Sequence, residues 1–248
     1  MNPAPWPWPR VFAHRCGGRL APENTVPALE VAARFGVGVE FDVMLSADGT
    51  PHLIHDETLE RTTSGYGRVA ETGDAALARL DASAGFAGFH DVRIPRLLEA
   101  ARRCRELHLG VNIEIKPSRG CDPRSGETVA RLVQRCWHDD LPPPLLSSFS
   151  EPALAAAARA VPQLLRGLLV EAVPDDWQAR CARLGVIALH ADAAKITPTQ
   201  IRAIRNAGLR LVLYTEDDPT RAARLFELGV DAIITDRPDL VRPPGARP

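Results

Sequence analysis

From Ile94 onward the chain alternates helix-period and strand-period segments without a break, and this alternation constrains the fold more than any other feature. Apolar residues three and four apart predict helices over 95–107, 125–138, 151–160, 175–184, 198–207 and 219–228. The β-rich runs between them predict strands over 110–115, 144–148, 164–170, 186–190, 209–214 and 231–235. A helix between consecutive strands returns the chain to the same end of the sheet, so the strands are parallel. Two earlier runs, 10–14 and 39–44, bring the count to eight. Eight strand–helix units fit a closed (β/α)8 barrel better than the alternative, an open doubly wound sheet, and no G-x-G-x-x-G follows a strand. The length of 248 residues is also that of a common α/β barrel. The chain is therefore read as one domain over 1–248.

The pattern is interrupted once, after strand two. Asp48-Gly49 turns 38–45 back onto 51–56 as a hairpin. From 57 to 92 regular periodicity fades, with loops at 64–67 and 85–88 around one short helix near 74–80. A stretch this long without regular structure is uncommon in a compact domain and is often functional. It reads as a small insertion beside the strand ends. Between strands one and two, Asn24 or Thr25 is the N-cap of a helix with Ala28, Leu29, Val31, Ala32 and Phe35 on its apolar face. The proline-rich start reads as a stiff extended lead-in, and 242–248 as a disordered tail.

Charge and cysteine usage exclude several classes. A net charge of −1 gives no general affinity for nucleic acid. No apolar run approaches the roughly 20 residues of a membrane span, and the start lacks the basic and apolar regions of a secretory signal. Five cysteines, an odd number without C-x-x-C spacing, point to free thiols and a cytoplasmic protein rather than to a disulfide framework or a zinc site.

The polar residues of the predicted strands gather at one place. His14 and Arg15 end strand one and run into Gly17-Gly18. Glu40 and Asp42 lie two apart on strand two, and Glu114 and Lys116 two apart at the end of strand three, so each pair shares a face. Buried carboxylates need partners. A hard divalent cation held by Glu40, Asp42 and Glu114 satisfies all three, and oxygen donors without cysteine favour Mg²⁺ or Ca²⁺. Salt bridges to Arg15 and Lys116 are the other reading. His14 and His55 suggest a proton-transfer pair for phosphodiester hydrolysis, with Arg15 and Lys116 neutralising phosphoryl charge. His55 is taken as the acid, beside the insertion, and His14 as the base, beside Arg15. His108 and His138 read as solvated, while His190 ends a strand and could line the pocket.

The ordered motifs His14-Arg15, Pro22-Glu23-Asn24-Thr25, Glu40-Phe41-Asp42, His55-Asp56, Glu114-Ile115-Lys116-Pro117, Ser147-Ser148-Phe149 and Thr235-Asp236 resemble those of glycerophosphodiester phosphodiesterases, above all cytoplasmic bacterial members. The resemblance runs from about Val11 to Val241. It implies a TIM barrel with a small insertion after strand two. It implies a divalent metal at Glu40, Asp42 and Glu114, acid/base histidines at His14 and His55, and phosphate contacts from Arg15 and Lys116. Phe149 and Tyr214, the latter where many members have Trp, join the substrate-binding set on the same grounds. The implied partner is a small glycerophosphodiester, cleaved to an alcohol and glycerol 3-phosphate. Related readings are a lipid phosphodiesterase acting on lysophospholipids or inositol phosphodiesters, and a non-catalytic phosphodiester-binding protein. Besides Tyr214, three residues depart from the pattern. Cys16 stands where Gly is usual, at a cost if that position needs positive φ, and is expected as a free thiol at the mouth of the site. Glu216-Asp217 stand where Val-Asn is common, and would weaken phosphate binding if their charges face it.

Overall fold

The computed structural model describes residues 6–83, 85–137, 141–243 and 245. Strands β1 (Val11–Ala13) and β2 (Gly38–Leu45) come first, and β3 (Pro51–Leu53) folds back antiparallel on β2. Six more follow: β4 (Val111–Ile115), β5 (Leu145–Ser148), β6 (Arg166–Val170), β7 (Ala188–Asp192), β8 (Arg210–Tyr214) and β9 (Ala232–Thr235). Leaving β3 aside, the strands run parallel in the order β1-β9-β8-β7-β6-β5-β4-β2. Pairing of Phe12 with Gly38 joins β1 to β2 and closes the ring. The eight-stranded barrel expected from the alternation is therefore present.

Helices cover the outside: α1 (Val26–Phe35), the single turn α2 (Asp74–Leu77), α3 (Leu97–Glu106), α4 (Asp122–Cys136), α5 (Glu151–Ala160), α6 (Trp177–Leu184), α7 (Pro198–Asn206) and α8 (Pro219–Glu227). Local chemistry sets their ends. Ser150, Thr197 and Asp218 accept backbone N–H bonds as N-caps, Thr197 in a capping box with Gln200. Helix α4 starts earlier than its apolar period implies, because Pro123 suits a first turn that Asp122 opens. Strand β7 lies later than predicted, at 188–192, because Val186 N–H still bonds back to Cys181 of the preceding helix. The run 51–56 is strand only to Leu53; Ile54 then bonds Asp42 O (3.2 Å) and the chain turns His55 over the barrel. His138, the first residues of the lead-in and most of the tail lie outside the described residues.

Alternation along the strands divides the core into two layers. Outward residues such as Val39, Phe41, Ile113, Leu146, Leu168 and Leu211 pack against the helices. Inward residues Phe12, Leu145, Ala188, Val212, Ala232 and Ile234 fill the barrel, with Trp8 against them. The Trp8 indole donates to Pro143 O (2.8 Å), just before β5, which ties this indole to the N-terminal end of the strands. Gly38 leaves room for the Phe12 ring, which a Cβ there would meet at 2.8 Å. Apolar filling at the strands' N-terminal ends leaves the polar inward positions at the other end, where barrels of this kind carry their chemistry.

The insertion has an apolar cluster of its own. Leu59, Val69, Leu77 and Ala82 pack with Met44 of β2, Ile54 and Ile94, so it is anchored to the hairpin. His52, on β3, bonds Asp74 of α2 at 3.2 Å and ties the two together. All five cysteines are free thiols. Among the described residues no helix is long and apolar enough to cross a membrane.

Candidate active site

Register brings the carboxylates together. Asp42 on β2 lies directly beside Glu114 on β4, and Glu40 lies on the same face of β2. Oxygens of Glu40, Asp42 and Glu114 lie within 4.8 Å of one another. All three residues are buried or nearly so. Burial, with the charge of Asp42 beside it, pushes Glu40 up to about 8. The same causes push Glu114 up to about 7, against the pull of Lys116. Three acidic groups on a buried face that cannot all ionise comfortably form a site waiting for positive charge.

The loop after β1 supplies part of it. Arg15 and Cys16 adopt left-handed backbone (φ 49 and 76), a conformation that side chains make costly. This turn directs Arg15 N–H to Glu40 Oε2 (3.0 Å). The Arg15 side chain reaches Glu23 through Nη1 (3.0 and 3.1 Å) and approaches Asp42 through Nε (3.8 Å). Lys116 approaches Glu114 (3.4 Å) and Asp42 (3.8 Å) from the other side. Both sequence readings of the acidic group thus have footing: the basic residues are near, yet they leave two carboxyls perturbed.

Each candidate histidine is held by a carboxylate. His14 Nδ1 lies 2.7 Å from Asp236 Oδ1. Burial lowers its proton affinity, but the Asp236 bond and the Glu40 charge outweigh that and raise it. His55 Nδ1 lies 2.6 Å from Asp56 Oδ1, and its Nε2 lies 3.1 Å from Lys116 Nζ. Burial, aided by Lys116, lowers His55 against the opposing pull of Asp42 and Asp56. An ammonium has only donors, so His55 Nε2 accepts from Lys116 and Nδ1–H donates to Asp56.

A cavity of about 340 Å³ adjoins Glu114 and Lys116, and Asp122, Phe149 and Ser150 line its far side. The Phe149 ring meets Tyr214 edge-on, with centroids 6.1 Å apart. The Tyr214 hydroxyl donates to Val170 O (3.0 Å), which commits its one hydrogen and leaves a ligand its ring and an acceptor oxygen. A larger groove of about 530 Å³ between α3 and α4, lined by Arg96, Arg102 and Arg135, is lined by none of these groups.

Several residues at this site escaped the sequence reading. Asn24 is not the helix cap, which is Thr25; its amide donates to Asp42 Oδ2 (2.9 Å) and its carbonyl accepts from Asp42 N (3.1 Å). Glu23, Asp56 and Asp236 stood inside recognised motifs without a role, and Asn24 only as a cap candidate. Arg61 carried no signal at all. Gly18 lets the loop meet Asp236: Arg19 N–H bonds Asp236 O (2.8 Å), and a Cβ at Gly18 would lie 2.3 Å from that oxygen.

Three expectations are corrected. Cys16 occupies a left-handed position, but its thiol is fully buried in the outer core and burial pushes its pKa well up, so it does not line the mouth. Glu216 is buried and ion-paired to Arg221 (3.1 Å), and Asp217 accepts from Thr235 and from Asp236 N–H (2.8 Å). The Glu216 charge is taken up by α8, and that of Asp217 by the end of β9 and by Arg19 (3.3 Å). His190 sits inside the barrel against Gly167, fully buried, rather than in the open cavity.

The family model described as "Glycerophosphoryl diester phosphodiesterase family" matches residues 14–240. A glycerophosphodiester phosphodiesterase of Caldanaerobacter subterraneus subsp. tengcongensis is 33% identical over 232 residues, 92% of this chain and 94% of that protein. A solved Oleispira antarctica phosphodiesterase, in complex with the product sn-glycerol-3-phosphate, superposes with a TM-score of 0.90 at 37% identity, covering 93% of this chain and 94% of that one. A glycerophosphodiester phosphodiesterase structure from Agrobacterium tumefaciens gives 0.79 at 32% identity, covering 94% and 98%.

Proposed function

The chain belongs to the glycerophosphoryl diester phosphodiesterase family, and from that premise we propose that it hydrolyses glycerophosphodiesters to an alcohol and sn-glycerol 3-phosphate with a divalent cation held by Glu40, Asp42 and Glu114. The observation that carries the reading is the convergence of three carboxylates between two histidine–carboxylate pairs at one end of the barrel. The donor set fits the ion: all-oxygen, buried, and short of positive charge, as Mg²⁺ or Ca²⁺ requires. Bound there, such an ion would neutralise charge developing on the phosphoryl oxygens.

The protein's own groups divide the remaining work. Arg15 and Lys116 offer cationic donors on two sides of the acidic group and hold the phosphoryl oxygens. Asp236 keeps a proton on His14 Nδ1, which leaves Nε2 a lone pair facing the site. A base stabilised by a carboxylate gains strength as it becomes cationic, and His14 takes the proton of the attacking group. His55 Nε2 accepts from Lys116 at rest. When a phosphoryl group draws Lys116 away, the cation that keeps His55 neutral is removed; Nε2 then takes up a proton from solvent, with Asp56 holding the imidazolium, and gives it to the alkoxide as the P–O bond breaks. Phe149 and Tyr214 present ring surface to the carbon skeleton of the substrate.

The test is incubation of purified protein with glycerophosphocholine and Mg²⁺ or Ca²⁺, with products identified by ³¹P NMR. Formation of sn-glycerol 3-phosphate is expected. Turnover of lysophosphatidylcholine in preference to glycerophosphocholine, or no turnover of either, would contradict the proposal.

A further inference from the structure

Arg61 comes from the insertion, on a turn anchored by the buried side chain of Leu59. Its guanidinium grips two carboxylates at once. Nε donates to Asp56 Oδ2 and Nη2 to Asp56 Oδ1 (3.0 Å). Nη1 donates to Glu23 Oε2 (2.7 Å) and Nη2 to Glu23 Oε1 (2.8 Å). Asp56 in turn orients His55 (2.6 Å), and Glu23 holds Arg15 (3.0 Å). The result is one unbroken chain of charge-assisted hydrogen bonds, His55–Asp56–Arg61–Glu23–Arg15.

An isolated ion pair at a half-exposed arginine contributes little. This one differs in geometry. A planar fork engaged by two carboxylates, each through paired N–H groups, fixes orientation as well as charge. Without it, Glu23 and Asp56 would face each other as like charges, and Asp56 would lose the donors that set its plane. The imidazole bonded to that plane would lose its direction too.

We infer that Arg61 is a positioning residue for the hydrolysis: through Asp56 it orients the proton donor His55, and through Glu23 it sets the phosphate-binding Arg15. The inference rests on the proposed acid role of His55. The two branches predict different signatures. The His55 branch acts on departure of the alcohol and matters most for a poor leaving group. The Arg15 branch acts on phosphoryl binding and raises KM for any glycerophosphodiester.

The experiment compares glycerophosphocholine with glycerophospho-4-nitrophenol, at saturating Mg²⁺ or Ca²⁺, in the wild type and in Arg61→Gln, Arg61→Lys, His55→Ala and the double variant His55→Ala/Arg61→Gln. In Arg61→Gln, kcat for the choline ester should fall on the order of 10- to 100-fold, as losses of orienting partners do. For the nitrophenyl ester it should fall only a few-fold, while KM rises for both. Arg61→Lys, which keeps the charge without the fork, should recover part of the loss and stands in should the glutamine variant not fold. On the His55→Ala background Arg61→Gln should add no further leaving-group discrimination, and metal affinity by calorimetry should not change. If His55→Ala discriminates between the esters and the folded Arg61 variants do not, the inference is overturned alone. If His55→Ala does not discriminate, the acid role of His55 falls and the inference with it.

Discussion

Replacing Glu40 by Gln should stabilise the metal-free protein while removing its metal site. Glu40 is buried on the acidic face, and burial together with the Asp42 charge moves its pKa from 4.5 to about 8. Below pH 4.5 the group is protonated in folded and unfolded chains alike and contributes nothing. Between 4.5 and 8 the folded state keeps a proton that the unfolded state has released, so stability falls as pH rises. At about 1.4 kcal/mol per pH unit the loss reaches roughly 4 kcal/mol by pH 8. Glutamine keeps the shape and can still accept the Arg15 N–H bond (3.0 Å in the wild type), but it carries no charge to bury. Urea denaturation in EDTA should therefore find Glu40→Gln more stable than the wild type by roughly 4 kcal/mol at pH 8, with the gap closing near pH 4.5. Saturating Ca²⁺ or Mg²⁺ should stabilise the wild type and not the variant, which reverses or narrows the order. Equal or lower stability of the variant at pH 8 without metal would refute the view that the face is frustrated by its own charge.

Asp236→Asn should keep the fold but lose on the order of 10³-fold in kcat, because an amide lets His14 adopt the wrong tautomer; steady-state kinetics beside a thermal melt checks this, and wild-type turnover would contradict it. Cys16 should resist a bulky thiol reagent in the native protein and react only in denaturant, and rapid native labelling, followed by mass spectrometry, would contradict its burial. Among the described residues neither ring nitrogen of His190 has a hydrogen-bond partner, and burial holds its pKa down to about 3. Its protonation therefore opposes folding as pH falls below 6.5, by about 2 kcal/mol at pH 5. His190→Leu should remove that share of acid sensitivity in denaturation curves at pH 7 and pH 5, and an unchanged pH dependence would count against it.

The barrel was legible because each strand–helix unit carries its own local signals: apolar period, cap and turn residues. The acidic face was legible for a similar reason, since a period of two puts Glu40 with Asp42 and Glu114 with Lys116 before any tertiary contact is known. What the sequence hid is long-range or directional. Arg61 reaches Glu23 across 38 positions from a loop without periodicity. The inward turn of Cys16 depends on a left-handed backbone angle, not on its place beside two glycines. Glu216 looked like free charge because its partner, Arg221, lies in the next helix. Asn24 looked like a cap because helix caps and carboxylate-orienting amides use the same residue type.

The most direct test of the account is a metal titration of activity. Protein stripped with EDTA and verified by elemental analysis should not hydrolyse glycerophosphocholine. Mg²⁺ or Ca²⁺ should restore turnover in proportion to the metal bound by the wild type, and Asp42→Asn, folded, should bind neither ion at the same concentration. Full turnover by the metal-free protein, or wild-type metal affinity in Asp42→Asn, would contradict the assignment of the acidic face as a cation site that the reaction needs.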